Sequence, residues 1–378
     1  MLKIITLIGA RPQFIKAGAI SRALQNSFST KLNEVIVHSG QHYDTNMSAV
    51  FFEQLAIPKP SYQFKLSAKS QSEQTAEILK ELDKVLILEN PDAILVYGDT
   101  NTTLAGALAA SKAHIPLIHV EAGLRSFNKT MPEEINRIVT DHCSSLLFCP
   151  TKTAIANLKS ESIVHSNLKC SIDAPKVYAC GDIMYDNSLF FSKQTNDSIL
   201  LENELVKNNF LLFTLHRPSN TDDLERLRSI CSMVVNLAEK HSKPIIFPVH
   251  PRTLKSLKSS FSVAEYQALA NHPYLKMIKP VSFLEMITLE MNSQLIITDS
   301  GGVQKEAYFF EKPCLILRPE TEWVEVVQSG MAALVDADEN ELNKQFDLFL
   351  TKYLSFPNIF GNGNSAGFIC QKIIENIS

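Results

Sequence analysis

The chain alternates short apolar runs with longer amphipathic stretches almost from end to end, and this alternation limits the folds open to it. Helical patterns such as 73–89 and 101–113 lie between the runs. Continuous apolar strands separated by helices are typical of a parallel sheet that is covered on both faces. The apolar runs of the first half are 3–10, 34–40, 93–99, 115–121 and 145–151.

The pattern pauses over the polar stretch 160–182 and then starts again. A chain of 378 residues is long enough for two hydrophobic cores. We therefore predict an α/β protein with two doubly wound, Rossmann-like domains, residues 1–182 and residues 183–362. We expect the segment 363–378 to form a helix that packs back on the first domain, and the segment 193–208 to be a solvated helix. The apolar runs of the second half are 209–216, 243–250, 275–281, 294–300, 312–318 and 331–336.

Composition excludes several functional classes. The net charge of −4 provides no basic surface for nucleic acid. No apolar stretch approaches the ~18 residues that span a bilayer, and the apolar N-terminus is too short for a signal peptide. Scattered cysteines without a CxxC pair favour reduced thiols over a zinc site. Without a GxGxxG or Walker motif, neither NAD nor ATP is expected. We expect a cytoplasmic protein with no cofactor, no metal, and no nucleic-acid or membrane partner.

Polar or glycine residues follow nearly every predicted strand. Ligands of parallel α/β sheets bind at the carboxyl ends of the strands, so two such domains facing each other would bring these groups to one cleft. The groups are Gly9–Arg11, Gly40–His42 with Gln41 between them, Gly98–Thr100, Glu121–Gly123, His216–Arg217, His250–Arg252, Asp299–Gly302 and Arg318.

One glycine turn in the second half is typical of an anion site. The stretch IITDSGGVQKEA, residues 296–307, runs from a strand through Ser300, Gly301 and Gly302 into a helix. Backbone N–H groups at a helix start attract phosphate, and glycine lets the phosphate come close. Ser300 is also a good N-cap, so a plain capped helix is the alternative. Glu306, about two turns further on, either bonds ribose hydroxyls or faces solvent.

Cationic side chains follow other strands. Arg11 lies in the glycine turn LIGARPQFIK, from which it could reach a diphosphate. The stretches TLHRPSN and PVHPRT place His216 with Arg217, and His250 with Arg252, at two strand ends. A histidine beside an arginine keeps a low pKa unless an anion is bound. With a diphosphate present both histidines could be donors. A satisfied structural residue is the alternative for each.

Carboxylates are concentrated in the first half. Asp99 ends a strand in VYGDTNTTL, and Glu121 ends another in HVEAGLRSFNKTMPEEINR. Glu133 begins the helix that follows. Such carboxylates can remove a proton from a weakly acidic carbon. The structural alternatives are a helix N-cap for Asp99 and an ordinary surface pair between Glu133 and Arg137.

Six motifs carry a specific resemblance. The stretches GDTNTTL, HVEAGLRS, PEEINR, HRPSNTDD, PVHPRT and TDSGGVQKEA occur in this order. Together they resemble the non-hydrolysing UDP-N-acetylglucosamine 2-epimerase family over essentially the whole chain. The resemblance implies a glycosyltransferase-B type fold with a UDP-sugar bound between the domains, and a homodimer is typical of the family. It also implies inversion at carbon 2 of the sugar, in which UDP is eliminated to give a 2-acetamidoglycal and then added back.

The resemblance assigns roles to individual residues. The family's catalytic positions fall on Asp99, Glu121, Glu133 and His216, and its UDP-binding pattern includes Arg11, Ser300, Gly301, Gly302 and Glu306. Together with the polar strand ends, this makes the expected substrate-binding and UDP-binding set Arg11, Gln41, His42, Arg137, Arg217, His250, Arg252, Ser300, Gly301, Gly302, Glu306 and Arg318.

Two stretches depart from the common form of the family. After GQH the chain reads YDTNM where the UDP-N-acetylglucosamine enzymes continue REM, and it reads TEWVE where they read TERPE. The first departure lies in the region of the family's activating second UDP-sugar site, which puts that activation in question. These variants look more like the branch that epimerises UDP-2,3-diacetamido-2,3-dideoxyglucuronate to the manno sugar for bacterial surface polysaccharide, such as O-antigen or capsule. We expect that substrate. The alternatives are UDP-N-acetylglucosamine, a hydrolysing epimerase, a glycosyltransferase of the same fold, and a UDP-sugar-binding regulator without catalysis.

Overall fold

The computed structural model describes residues 1–41, 58–68 and 70–377, and these residues form two compact units. The first unit is Met1–Asn187 together with Asn358–Ser378, and the second is Ser188–Pro357. The first division falls inside the helix Ile183–Ser192. Both divisions lie a few residues from the predicted domain boundaries.

The first unit is built on a parallel sheet. Its described strands are β1 (Leu2–Ile8), β2 (Leu32–His38), β3 (Tyr62–Gln63), β4 (Ala93–Tyr97), β5 (Leu117–Val120), β6 (Leu146–Cys149) and β7 (Lys176–Ala179). They lie in the order β3-β2-β1-β4-β5-β6-β7. The strand order reverses between β1 and β4, which is where a doubly wound sheet opens a ligand crevice. The described helices of this unit are Arg11–Ala23 with the short π-helix Leu24–Phe28, Gln71–Glu89, Asn101–Ala113, Pro132–Cys143, Lys152–Ser160, the first part of Ile183–Ser192, and Ser365–Ile377.

The helix Asn101–Ala113 shows how local sequence supports this sheet. Thr100 caps its start, because the Thr100 hydroxyl accepts a hydrogen bond from the backbone N–H of Thr103. Alanines and Gly106 let the helix lie close to the strands. A side chain at Gly106 would come within 2.8 Å of both Leu7 and Val96. The close packing fixes the end of β4, where Asp99 lies.

The second unit repeats the same plan. Its strands are β8 (Leu211–Thr214), β9 (Ile245–Pro248), β10 (Leu275–Ile278), β11 (Leu295–Thr298), β12 (Cys314–Ile316) and β13 (Ala332–Leu334). They are parallel and lie in the order β10-β9-β8-β11-β12-β13, so the reversal falls between β8 and β11. The helices are Ser198–Glu202, Pro218–Thr221, Leu224–His241, Pro251–Ser260, Val263–Ala270, Phe283–Asn292, Gly301–Phe309, Val324–Gln328 and Glu339–Thr351.

The C-terminal helix Ser365–Ile377 packs against the helix Arg11–Ala23 of the first unit. The carboxylate of Asp186 caps its start by accepting hydrogen bonds from the backbone N–H groups of Ser365 and Ala366, at 3.0 and 2.8 Å. The first unit is therefore completed by the last residues of the chain.

Two details of the sequence prediction are wrong. The polar stretch 160–182 contains β7, whose Lys176 donates to the carbonyls of Ser166 and Leu168 at 2.7 and 2.6 Å. The expected helix over 193–208 is helical only at Ser198–Glu202. Two side chains of that short helix are buried: Ile199 is 6% exposed and Leu200 is 2% exposed.

The cysteines are all free thiols, and four of them are buried. No helix in the described part of the chain is both long and apolar enough to cross a membrane. No cluster of metal-binding side chains is found among the same residues.

Candidate active site

Asp99 follows β4 at the point where the strand order of the first unit reverses. Its carboxylate pairs with the guanidinium of Arg137, and its carbonyl accepts a hydrogen bond of 2.8 Å from the Asn136 side chain. Burial raises the pKa of Asp99, the Arg137 charge opposes that rise, and the nearby Glu121 carboxylate adds to it. Thr100, not Asp99, caps the following helix, so the N-cap alternative for Asp99 is wrong.

A second carboxylate lies beside the first. Glu121 pairs with the ammonium of Lys16, and the two side chains are only 12% and 10% exposed. A Cβ atom added at Gly98 would be 3.2 Å from both Glu121 Oε2 and Lys16 Nζ. Gly98 also has a φ of +63°, which favours glycine. The Gly98–Asp99 turn thus brings the Glu121 carboxylate next to Asp99.

Lys16 was not among the predicted site residues. It lies on the buried face of the helix Arg11–Ala23, in the otherwise uncharged stretch from Phe14 to Ile20. A single cation on such an apolar face is the sequence signal that identifies it, because a buried lysine needs a partner.

The helix Pro132–Cys143 holds the loop that precedes it. Buried Glu134 accepts hydrogen bonds from Ser126 N (2.8 Å), Ser126 Oγ (3.0 Å) and Phe127 N (2.9 Å). It also forms an ion pair of 3.0 Å with Arg137. Burial alone would raise the pKa of Glu134, but these donors outweigh it and leave the pKa lowered. Arg137 thereby links Glu134 to Asp99.

Glu133 begins the same helix, as predicted, and its side chain is exposed. The expected surface pair between Glu133 and Arg137 is wrong, since the arginine pairs with Asp99 and Glu134. The structure does not bring the Glu133 carboxylate into the Asp99–Glu121 cluster of described contacts, and the catalytic role implied for it stays a prediction.

Of the remaining predicted residues of the first unit, Gln41 follows β2 and Arg11 begins the first helix. Gln41 accepts hydrogen bonds from Thr102 N (3.0 Å) and Thr102 Oγ1 (2.7 Å), so its carbonyl oxygen supports the start of the helix Asn101–Ala113. The side chain of Arg11 and the whole of His42 lie outside the described residues. Their predicted contacts to UDP stay predictions.

In the second unit, Asp299 organises the turn after β8. Its buried carboxylate accepts hydrogen bonds from the backbone N–H groups of His216 (3.1 Å) and Arg217 (2.8 Å) and from the Asn220 side chain (3.1 Å). The His216 ring lies 3.4 Å from the same carboxylate. Burial lowers the pKa of His216, although Asp299 opposes that shift. His216 is therefore held at the β8–β11 reversal.

His250 and Arg252 lie at the end of β9. His250 caps its helix by accepting a hydrogen bond of 3.2 Å from Arg252 N, so the structural alternative describes part of its role. Its ring centroid is 5.5 Å from that of His216. The guanidinium of Arg252 pairs with Asp222 at 2.6 Å.

A carboxylate lies among the predicted anion-binding groups of the second unit. Glu322 Oε2 is 2.8 Å from Arg318 and Glu322 Oε1 is 3.7 Å from Arg217. A Cβ at Gly301 would lie 2.2 Å from the same Oε1, so a side chain here would displace the Glu322 carboxylate. Ser300 caps this helix through Val303 N, so the capped-helix alternative describes part of its role. Two arginines and a helix start thus converge on one negative group, which is the environment a phosphate needs.

Glu306 lies on the next turn of that helix, beside a second carboxyl group from the neighbouring helix. Glu290 is fully buried, and neither of its oxygens has a donor among the described residues. Burial and the Glu306 charge raise the pKa of Glu290, which favours its protonated form as a donor to Glu306. Trp323, in the TEWVE stretch, stacks under the ammonium of Lys305 at 4.1 Å.

The two doubly wound units and their polar strand ends define an α/β enzyme of the glycosyltransferase-B type, which confirms the predicted fold class. A family model described as UDP-N-acetylglucosamine 2-epimerase matches residues 23–374. The chain belongs to the UDP-N-acetylglucosamine 2-epimerase family, as the six motifs predicted.

Relatives within this family carry two different names. The chain is 46% identical over 375 residues to the UDP-2,3-diacetamido-2,3-dideoxy-D-glucuronate 2-epimerase of Pseudomonas aeruginosa, covering 99% of this chain and 100% of the relative. It is 45% identical over 377 residues to a UDP-N-acetylglucosamine 2-epimerase homolog of Methanococcus maripaludis, covering 99% of each. The structure of Methanocaldococcus jannaschii UDP-GlcNAc 2-epimerase in complex with UDP-GlcNAc and UDP matches with a TM-score of 0.82 at 40% identity, covering 99% and 100% of the two chains.

Proposed function

We propose that this protein, a UDP-sugar 2-epimerase by family, inverts carbon 2 of UDP-2,3-diacetamido-2,3-dideoxyglucuronate to give the manno epimer. The observation that carries the chemistry is the pair of carboxylates, Asp99 and Glu121, that flank Gly98, each in contact with a cation. We assign the manno epimer to the synthesis of bacterial surface polysaccharide. A cytoplasmic homodimer remains our prediction for its state in the cell.

The first unit supplies the proton transfers. A carboxylate takes the proton from carbon 2, and the electron pair of that carbon–hydrogen bond forms the carbon 1–carbon 2 double bond of the glycal. The carbon 1–oxygen bond breaks, and UDP leaves with the electron pair of that bond. A proton then returns to the opposite face of carbon 2 and UDP adds back to carbon 1. The raised pKa of Asp99 strengthens it as a base, and Arg137 stabilises its charged form.

The second unit supplies the anion site. We assign the diphosphate to the helix start at Ser300–Gly302 and to Arg217 and Arg318, which now surround Glu322. Positive groups at this position stabilise the charge that builds on UDP as it leaves. His216, held by Asp299, is the histidine that assists this departure. Glu306 is assigned to the ribose hydroxyls.

The choice of substrate is supported by the TEWVE stretch and by the Pseudomonas aeruginosa relative at 46% identity. In this chain the stretch places Trp323 against Lys305 and Glu322 against Arg318. UDP-N-acetylglucosamine is the second candidate, because a Methanocaldococcus jannaschii relative at 42% identity bears the name UDP-N-acetylglucosamine 2-epimerase.

Proton NMR in heavy water tests both parts of this proposal. The purified protein is given UDP-N-acetylglucosamine in one tube and UDP-2,3-diacetamido-2,3-dideoxyglucuronate in another. We expect deuterium to enter carbon 2 and a manno signal to appear only in the second tube. Turnover only in the first tube keeps the mechanism and overturns the substrate. Release of a free sugar indicates a hydrolysing enzyme, and no exchange in either tube, with UDP still bound, indicates a transferase or a regulator.

A further inference from the structure

Asp141 lies behind the candidate site, on the helix Pro132–Cys143, and it is fully enclosed. Its Oδ1 is 2.7 Å from His119 Nδ1, and its Oδ2 accepts hydrogen bonds from Gly123 N at 3.1 Å and from Arg125 Nη1 at 2.7 Å. His119, Arg125 and Asp141 are not among the predicted site residues. One buried carboxylate therefore connects His119 on β5 with Gly123 and Arg125 in the loop that follows Glu121.

The backbone of that loop is strained at Glu121. This residue has a φ of +75°, a left-handed conformation that is costly for a non-glycine residue and persists only when the surroundings enforce it. His119 precedes it by two positions and Gly123 follows it by two, and both are tied to Asp141. These contacts to Asp141, one on each side of Glu121, hold the residue in this conformation.

His119 extends the same connection to the other carboxylate. Its Nε2 is 2.8 Å from the carbonyl oxygen of Gly98, the residue before Asp99. A carbonyl can only accept, and an ionised Asp141 carboxylate also accepts, so this geometry suits a ring that carries a proton on both nitrogens. Such a ring donates to Asp141 on one side and to the Gly98 turn on the other.

The charges of this buried group balance. Arg125 donates to Asp141 and makes a two-pronged pair with Glu161, with both distances at 2.7 Å. His142, half-exposed, lies 3.6 Å from Glu161. Two positive groups, His119 and Arg125, thus face two negative ones, which is the condition under which buried charges are tolerated.

We propose that Asp141 is a positioning residue for the epimerisation: it holds the Glu121 turn from both sides and, through a doubly protonated His119, holds the Gly98–Asp99 turn. This inference rests on the proposed function. Asp141 touches neither carboxylate, and its effect is to fix their separation and direction. An asparagine at 141 keeps the shape but offers one acceptor oxygen, so it cannot satisfy His119, Gly123 and Arg125 together.

The test compares Asp141→Asn with Asp186→Asn. Asp186 is the matched control, because it is another carboxylate of the first unit that binds two backbone N–H groups, and the mechanism does not use it. We expect Asp141→Asn to lower kcat about 100-fold, the scale of a small misplacement of reacting groups, while KM and UDP affinity stay unchanged. Asp186→Asn should keep kcat. Full kcat in Asp141→Asn overturns the proposal, and so does a loss of UDP affinity in step with kcat.

A spectroscopic measurement on the unmodified protein tests the same idea without relying on turnover. Nitrogen–proton correlation spectra of the histidine rings, with His119 assigned from a His119→Gln sample, should show a proton on both ring nitrogens at the assay pH. His165 is the internal comparison in the same spectra. Its Nδ1 lies near both the backbone N–H and the carbonyl oxygen of Val177. A neutral His119 ring overturns the proposal. If the enzyme epimerises neither nucleotide sugar, the proposed function fails, and the state of the ring still decides whether Asp141 binds an imidazolium.

Discussion

At the scale of single residues, the main result is that the carboxylates proposed for the chemistry differ in their contacts from those that support the loop. Asp99 and Glu121 each combine a carboxylate with a cation and lie on either side of Gly98. Glu134 and Asp141 are also carboxylates, but backbone N–H groups occupy their oxygens. Carboxylates with the same charge therefore divide into those that can face a substrate and those that hold the loop.

The first prediction concerns Asp99→Asn and Glu121→Gln. Each amide keeps the side-chain shape and removes the base, so turnover should fall by about 10²- to 10⁴-fold, the usual contribution of general acid–base catalysis. UDP affinity, measured by calorimetry, should be unchanged because the diphosphate is assigned to the second unit. Asp83→Asn, an exposed change in the first unit, is the control. Wild-type turnover in either amide variant removes that residue from the mechanism.

The second prediction separates neighbouring glutamates. Glu133 is exposed, so Glu133→Gln should leave the melting temperature unchanged, and a loss of kcat would then assign it to the chemistry. Glu134→Gln removes an acceptor from Ser126, Phe127 and Arg137, and should cost about 1–3 kcal/mol of unfolding free energy for the donors left unsatisfied. Thermal unfolding and initial rates of both variants check this. Equal stability of the two variants would contradict the assigned support role of Glu134.

At the scale of elements, the helix Pro132–Cys143 organises the first unit's site. Its inward residues Glu134, Arg137 and Asp141 recur at helical spacing and reach the loop, Asp99 and His119 in turn. The inward residues of the charged stretch PEEINRIVTDH therefore form a row of buried contacts. The charge pattern by itself is more typical of a solvent-exposed helix face.

A feature of the fold or of the candidate site could be predicted from the sequence where it depends on neighbouring residues. It could not be predicted where it depends on contacts between residues far apart in the chain. Strands buried on both faces are continuous apolar runs, so most were found, whereas β7 was missed because buried Lys176 breaks its pattern. Asp99 and Glu121 were predicted as site residues because strand ends collect functional groups, and the structure places their carboxylates near each other. Lys16 and Glu121 are 105 positions apart, and His119 and Asp141 are 22 apart, so no spacing rule links them.

The third prediction concerns the packed helices Phe283–Asn292 and Gly301–Phe309. The raised pKa of Glu290 means that folding takes up a proton, so its contribution to stability is complete below the unfolded pKa and is lost as the pH rises. Above about pH 4.3 the wild type loses up to about 1.4 kcal/mol per pH unit until the folded-state pKa is reached. Glu290→Gln needs no proton and its amide donates to Glu306.

Urea unfolding of Glu290→Gln and wild type at several pH values measures this effect. The variant should gain stability relative to the wild type as the pH rises from about 4 to about 7. Glu202→Gln, an exposed change in the same unit, should show no such trend. A stability difference that does not vary with pH would mean that Glu290 is not protonated in the folded protein.

At the scale of the whole molecule, the chain has two units and a first unit built from both ends of the sequence. The fourth prediction follows from the C-terminal helix. Ile373 is 1% exposed, so Ile373→Ala should destabilise the first unit by about 2–5 kcal/mol. Hydrogen exchange should therefore speed up in β1 and β4 while β8 and β11 stay protected.

Leu201→Ala is the control for that experiment, since Leu201 is 77% exposed. Faster exchange spread equally over both sheets would show that the two units unfold as one cooperative block, and would contradict the prediction. No change in β1 would mean that the last helix contributes little to the first unit.

The position of the last helix also has a consequence for biosynthesis. Asp186 and the helix Arg11–Ala23 are made early, but the residues they bind, Ser365 onward, are translated only after the second unit. Throughout elongation the nascent first unit exposes the apolar surface that Ile369 and Ile373 later cover, whereas the second unit is contiguous and can close while the ribosome is still at work. Completion of the first sheet's cover therefore waits until residues 365–377 have left the ribosome, and a ribosome stalled before residue 365 would leave an unfinished first unit and a finished second one.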